Sequence, residues 1–301
     1  MRETSNIPDF IVIGAMKAGT TSLYYYLNSH PDIFMSLPKE PRYFSLENVF
    51  EKGEEWYLSL FKKATGNQFT GEASTCYTRW PTFSNVPDRI FQVNPQVKLI
   101  YILRNPVDRA YSHYRHLALI DNKKYASFEE AIENEREIID ASKYMMQINR
   151  FLKVFPKDQL LLVDFNEFKN SPNEVLNKIQ KFIGCNAVSL VRDEGLIKNN
   201  FKSSIDKTTK KRLIKHIRLL MNLSGVKFLI DAIFSKKSKA NILNKITSCY
   251  LLFSRRFIEN KYKREIEPLT NRMRDQLLVE FREDIDELEL YCGKSFDRWY
   301  S

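Results

Sequence analysis

The segment Phe10-Ile-Val-Ile-Gly14 constrains this chain more than any other, because it runs directly into Ala15-Met-Lys-Ala-Gly-Thr-Thr-Ser22. A short apolar run rich in β-branched residues and closed by glycine reads as a buried parallel strand. Thr20–Leu27 then takes up a helical pattern. Strand, glycine-bearing loop and helix in immediate succession make a junction where backbone N–H groups and a helix N-terminus converge, which suits an anion.

The rest of the chain repeats the alternation. Strands are predicted at Gln68–Glu72, Val97–Leu103 and Leu160–Phe165, and helices at Pro106–Leu119, Ser127–Ile139, Ser171–Phe182 and about 269–291. Pro106 falls in a first turn, where its missing N–H costs nothing. Ser127 and Glu130 have capping-box spacing, and Gly293 is a helix stop. The expected fold class is α/β, a single P-loop-like domain over 1–301 with a central parallel sheet flanked by helices.

Composition narrows the function. No apolar run approaches the roughly 18 residues of a membrane span, and Met1–Phe10, with Pro8 and Asp9, lacks the apolar core of a signal peptide. Cys76, Cys185, Cys249 and Cys292 lie far apart, without metal-ligand or redox spacing. A cytoplasmic protein with reduced thiols and no transmembrane segment is expected. The net charge of +10 is concentrated: Lys198–Arg264 holds 18 Lys and Arg against Asp206, Asp231 and Glu259, leaving the remainder net acidic. This stretch is expected to be a basic, mainly helical elaboration, suited to an anionic ligand or surface, or else a solvated helical face.

Two segments carry chemistry. Gly14 and Gly19 have the Walker A separation, yet Thr20 stands where a nucleotide kinase places lysine, and Lys17 lies inside the loop. That cradle suits a phosphate bonded to a second anionic group. In Tyr101-Ile-Leu-Arg-Asn-Pro-Val-Asp-Arg-Ala-Tyr-Ser112, Arg104 stands at the carboxyl end of a strand, where open α/β sheets bind ligands. Ser112, eight residues on, can close on the phosphate that Arg104 grips bidentately. Arg109 either assists or pairs locally with Asp108. Two anion sites on one sheet imply a nucleotide phosphorylated in two separate places.

Phe10–Ser22 resembles the 5′-phosphosulfate loop of sulfotransferases that use 3′-phosphoadenosine-5′-phosphosulfate (PAPS), and Leu99–His116 resembles their 3′-phosphate motif. The bacterial and heparan-sulfate-type, N-deacetylase/N-sulfotransferase-like branch is the most similar. It is matched by His30-Pro31, Lys39-Glu40-Pro41 before Tyr43-Phe44, Gly71-Glu-Ala-Ser-Thr-Cys-Tyr77, and Arg282–Trp299. The resemblance implies transfer of the sulfuryl group of PAPS to a hydroxyl or amine of a small-molecule, glycan or natural-product acceptor. Adenosine 3′,5′-bisphosphate is then the product, with no metal and no nucleic-acid partner. It also implies roles. Lys17 bridges the leaving phosphate and the sulfuryl group, with Ala18, Gly19, Thr20, Thr21 and Ser22 around the 5′-phosphate. Arg104 and Ser112 hold the 3′-phosphate, Glu72 is the general base, His116 is a second catalytic candidate, and Lys39 is a possible active-site cation. Lys202 and Ser203 fall where relatives close over the 3′-phosphate and adenine, although Lys198–Ser204 lacks the glycine or proline usual there. The alternative is a P-loop nucleotide kinase or NTPase, for which Asp164 is the strand-end metal ligand.

Overall fold

The computed structural model describes residues 7–119, 121, 123–188, 266 and 268–300. The basic stretch Lys198–Arg264, with Lys202 and Ser203, lies outside the described residues.

The apolar runs form five strands: β1 (Phe10–Gly14), β2 (Ile33–Met35), β3 (Phe69–Ala73), β4 (Lys98–Leu103) and β5 (Leu160–Asp164). All pair in parallel, in the order β2-β3-β1-β4-β5. Both faces of such a sheet are covered, which is why β1 is buried along its whole length and reads as an unbroken apolar run. Phe10 lies opposite Gly71 on one side and Lys98 on the other. The chain order reverses around β1, which has β3 and β4 as neighbours, so the ligand crevice of this topology opens at their carboxyl ends.

The helices are α1 (Thr20–Asn28), α2 (Glu47–Phe50), α3 (Glu54–Ser59), α4 (Val86–Val93), α5 (Pro106–Leu119), α6 (Phe128–Asn134), α7 (Glu137–Asp140), α8 (Tyr144–Leu152), α9 (Phe165–Asn170), α10 (Pro172–Ile183) and α11 (Asn271–Cys292). Contacts divide the chain into two compact units. One comprises Met1–Tyr114, Phe128–Leu196 and Leu269–Ser301 and contains the sheet; the other comprises Arg115–Ser127 and Ile197–Pro268. On α11, Met273, Leu277, Phe281, Ile285 and Leu288 form a buried stripe at helical spacing. Its Asp284 accepts from the backbone N–H groups of Met145 (3.0 Å) and Met146 (2.9 Å), which satisfies the first turn of α8. Gly293, at φ 63°, ends α11 where the sequence places a stop.

Two elements differ from expectation. The edge strand β2 is only three residues long, too short to announce itself by alternation. The helix predicted over Ser127–Ile139 is split into α6 and α7. The cause is tertiary: buried Arg109 takes the Ile138 carbonyl, and Arg79 pairs with Glu137. These partners hold the second segment as a separate short helix.

Close approach across the sheet fixes Gly71, where a Cβ would lie 2.2 Å from the Phe10 ring. Gly71→Ala should therefore overpack the β1–β3 contact and cost about 1–3 kcal/mol. Thermal unfolding should show a drop of roughly 3–10 °C; an unchanged midpoint would mean that the ring moves aside freely.

Candidate active site

The loop after β1 is held from outside. The Ala15 N–H donates to the Ile102 carbonyl of β4 (3.0 Å), and the Ala18 N–H donates to the Ala15 carbonyl (3.1 Å). Lys17 (φ 72°) and Gly19 (φ 86°) both take left-handed backbone, a conformation rare for lysine and easy for glycine. Gly19 is the N-cap of α1 and has no side chain with which to cap it, so Thr20, Thr21 and Ser22 present the first-turn N–H groups of a nine-residue helix. Thr20 and Ala18 are buried, while Lys17, Thr21 and Ser22 are half-buried.

Arg104 follows the last residue of β4 and reaches this loop: its Nη1 donates to the Lys17 carbonyl at 3.0 Å. Its own backbone is clamped by Tyr144 at the start of α8. The Tyr144 hydroxyl accepts from the Arg104 N–H (3.2 Å) and donates to the Arg104 carbonyl (2.6 Å). The guanidinium lies 5.3 Å from the Phe165 ring. The next residue, Asn105, caps α5 by accepting from the Val107 N–H (3.0 Å) and donates to the Trp299 carbonyl (3.0 Å). Ser112 sits half-buried on α5. The two anion motifs thus converge through Arg104.

Arg109 is a structural residue. Fully buried, it donates from Nε to Ser142 Oγ (2.5 Å) and from Nη2 to the Ile138 carbonyl, and burial lowers its pKa to about 10. Asp108 pairs with Arg274 (2.8 Å) rather than with its neighbour.

Glu72 is the penultimate residue of β3 and is 0% exposed. Its Oε1 accepts from the hydroxyls of Tyr57 (2.9 Å) and Tyr77 (2.8 Å), and its Oε2 from Ser74 Oγ (2.7 Å). Burial raises its pKa to about 7, against the three hydroxyls, which pull it down. Lys39 pairs with Glu40 (2.6 Å) beside the carboxyl end of β3, where the Glu40 N–H donates to the Ala73 carbonyl (3.1 Å). Burial pushes Glu40 upward, but Lys39 and Arg42 outweigh it and hold the carboxyl below its ordinary range. His116 lies in the last turn of α5, in the second compact unit.

Asp164, the metal ligand that a kinase would need, is committed elsewhere. It caps α9 by accepting from the N–H groups of Asn166 (2.7 Å) and Glu167 (3.0 Å), and it pairs with Arg298. Sequence reasoning missed Tyr57 and Tyr144, whose roles come from contacts across the fold. Ser74 and Tyr77 lie inside the Gly71–Tyr77 motif, where their polar side chains beside Glu72 were a signal.

A donor set of helix-start N–H groups, one lysine and one arginine fits a ligand with anionic groups at two points. The sulfotransferase domain family model matches residues 7–242. The chain belongs to the sulfotransferase domain family, whose members are enzymes that use PAPS and release adenosine 3′,5′-bisphosphate. The mouse bifunctional heparan sulfate N-deacetylase/N-sulfotransferase 4 is 32% identical over 199 residues, covering 60% of this chain and 22% of that protein. Human bifunctional heparan sulfate N-deacetylase/N-sulfotransferase 3 is 31% identical over 198 residues, covering 59% and 22%. The chain therefore spans about a fifth of the length of these relatives. A crystallised sulfotransferase from Alicyclobacillus acidocaldarius shares the fold, with a TM-score of 0.66 at 23% identity, covering 98% of this chain and 99% of that one. No helix among the described residues is long and apolar enough to cross a membrane.

The elevated Glu72 value has a defined consequence for stability. An unfolded chain ionises Glu72 near the ordinary 4.5, the folded one near 7. Between those values the unfolded state has released the proton that the folded state retains, so this group's contribution to stability falls as pH rises and stays low above the window. Glu72→Gln cannot ionise. Its unfolding free energy relative to wild type, followed by denaturant melts, should climb between pH 4.5 and 7 by on the order of 3 kcal/mol. A flat difference across that range would show that Glu72 titrates normally.

Proposed function

We propose that this chain moves the sulfuryl group of PAPS to a hydroxyl or amine of a small-molecule, glycan or natural-product acceptor by in-line transfer without a metal. The observation that carries this reading is the hydrogen bond from Arg104 to the Lys17 carbonyl, 3.0 Å long, which joins two anion motifs 87 residues apart. When bound, PAPS supplies the sulfuryl group and a stable bisphosphate leaving group. Ala18–Ser22 hold the 5′-phosphate through backbone N–H groups, and Arg104 with Ser112 holds the 3′-phosphate. Lys202 and Ser203, outside the described residues, are further candidates for binding PAPS. The Lys17 ammonium offsets charge growing on the bridging oxygen.

Glu72 takes the acceptor's proton, and a carboxyl whose pKa lies near 7 is matched to that work at neutral pH. It is fully covered, so the acceptor meets it by replacing Ser74 Oγ on Oε2, the oxygen with one partner. His116 is the second candidate for this proton. The names of the curated relatives favour an amine on a glycan. In this reading residues 1–301 form one sulfotransferase domain, and the basic stretch 198–264 attracts an anionic acceptor. Three described cysteines, Cys76, Cys185 and Cys292, are free thiols, which supports a reducing, cytoplasmic setting.

Adenosine 3′,5′-bisphosphate at a hundredfold excess over its Kd should stabilise the fold by about 2.7 kcal/mol, and adenosine 5′-phosphate far less at equal concentration. Arg104→Ala should erase that difference. Equal melting shifts in the wild type would remove the 3′-phosphate site.

Incubation with labelled PAPS and a panel of amino sugars, glycans and phenols should yield a sulfated product in EDTA. Lys17→Ala should lower kcat by about 10²–10³. Activity that disappears in EDTA and returns with magnesium would restore the kinase reading.

A further inference from the structure

The two oxygens of Glu72 are treated differently. Oε1 accepts from two phenols, Tyr57 on α3 and Tyr77 on the 3-10 turn Thr75–Thr78, while among the described residues Oε2 accepts only from Ser74. Both phenols are rigid. The Tyr57 ring stacks on Tyr43 at 4.6 Å and 9°, edge-on to Phe44 (4.9 Å) and Phe61 (5.5 Å). The Tyr77 ring meets Phe44 edge-on at 5.6 Å, and its oxygen also accepts from the Phe44 N–H (3.4 Å). Ser74, by contrast, is a small rotor whose oxygen accepts from the Arg42 N–H (3.1 Å). Phenylalanine would pack in either ring position equally well, so packing alone does not account for the two hydroxyls.

We propose that Tyr57 and Tyr77 are positioning residues that pin Oε1 of Glu72, fix the plane of its carboxyl and leave Oε2 to meet the acceptor's proton. This rests on the reading of Glu72 as the base. Donors to a carboxylate favour its charged form, so the phenols also set the pH at which the base becomes available. The other groups facing Glu72 are Ser74 and Glu40, whose charge is matched by Lys39 (2.6 Å) and Arg42 (3.3 Å). Behind the phenols stand Tyr43, raised above its ordinary range by burial, and Cys76, raised by burial to about 11, so both stay neutral through the pH range of the test.

Tyr57→Phe and Tyr77→Phe keep the rings and remove only the hydroxyls. Each should move the acidic limb of the kcat profile upward by about one pH unit, and the double variant further, so that kcat falls more on the acid side than on the high-pH plateau. The carboxyl of Glu72, followed by 13C NMR in the free enzyme, should shift its titration in the same direction. A limb and a titration that stay put, or activity lost equally at all pH, would overturn the proposal and leave the tyrosines as packing residues. Failure of the base reading looks different, because Glu72→Gln would then retain the acidic limb. The NMR titration of the two Phe variants alone then decides whether the phenols control Glu72. Should either single variant fail to fold, the other carries the test.

Discussion

An anion-binding loop must keep its backbone donors open, and here an arginine from another strand does that. Lys17 is a non-glycine residue in left-handed backbone, a conformation that costs of order 1 kcal/mol or more and persists only where its surroundings over-determine it. Arg104, at the end of β4, supplies the constraint through the Lys17 carbonyl. Arg104 is in turn over-determined, by the Tyr144 hydroxyl on both its backbone groups and by the Phe165 ring beneath its guanidinium. The same ring lies against Gly19, where a Cβ would approach it to 2.9 Å. The carboxyl ends of β1, β4 and β5 therefore meet on one small cluster.

The acceptor side is built on a different principle. Glu72 and Arg109 are both fully buried ionisable groups, and burying a charge is costly where it lacks partners. Glu72 is served by three hydroxyls, and its ionisation is balanced near neutrality by burial acting against them. Arg109 is served at Nε by Ser142 and at Nη2 by the Ile138 carbonyl, while its buried Nη1 has no hydrogen-bond partner among the described residues. Similar burial gives one group a tunable proton and makes the other a strut. The difference is chemical: burial brings the Glu72 carboxyl to about 7, where its proton can leave, whereas the Arg109 guanidinium, lowered only to about 10, keeps its charge.

Much of this was legible beforehand, for physical reasons. β1, β3 and β4 are largely buried on both faces and β5 is a five-residue apolar run at one edge, so their composition announces them; β2, at the other edge, has only three residues and does not. α11 was readable because one stripe and one terminal glycine define it. Lys17 and Arg104 were readable because loop and strand-end positions are set by local sequence. Tyr57 and Tyr144 were not, since each reaches its partner across 15 and 40 residues respectively, and nothing local distinguishes them from core aromatics. Glu72 was legible as a residue of interest, but its complete enclosure depends on α3 and the turn after β3. Arg109, the fourth residue of α5, reads from sequence either as an aid to the anion site or as a partner of Asp108, and it is a core residue that the helix turns inward.

The bond from Asn105 to the Trp299 carbonyl spans 194 residues and touches the neighbour of Arg104. On a ribosome elongating at ~5–20 residues per second, roughly 10–40 s separate the appearance of those two partners. Through that interval the strand-end arginine exists without the segment that braces its neighbour. The five strands, complete by Asp164, are thus all synthesised before the brace on Asn105 exists.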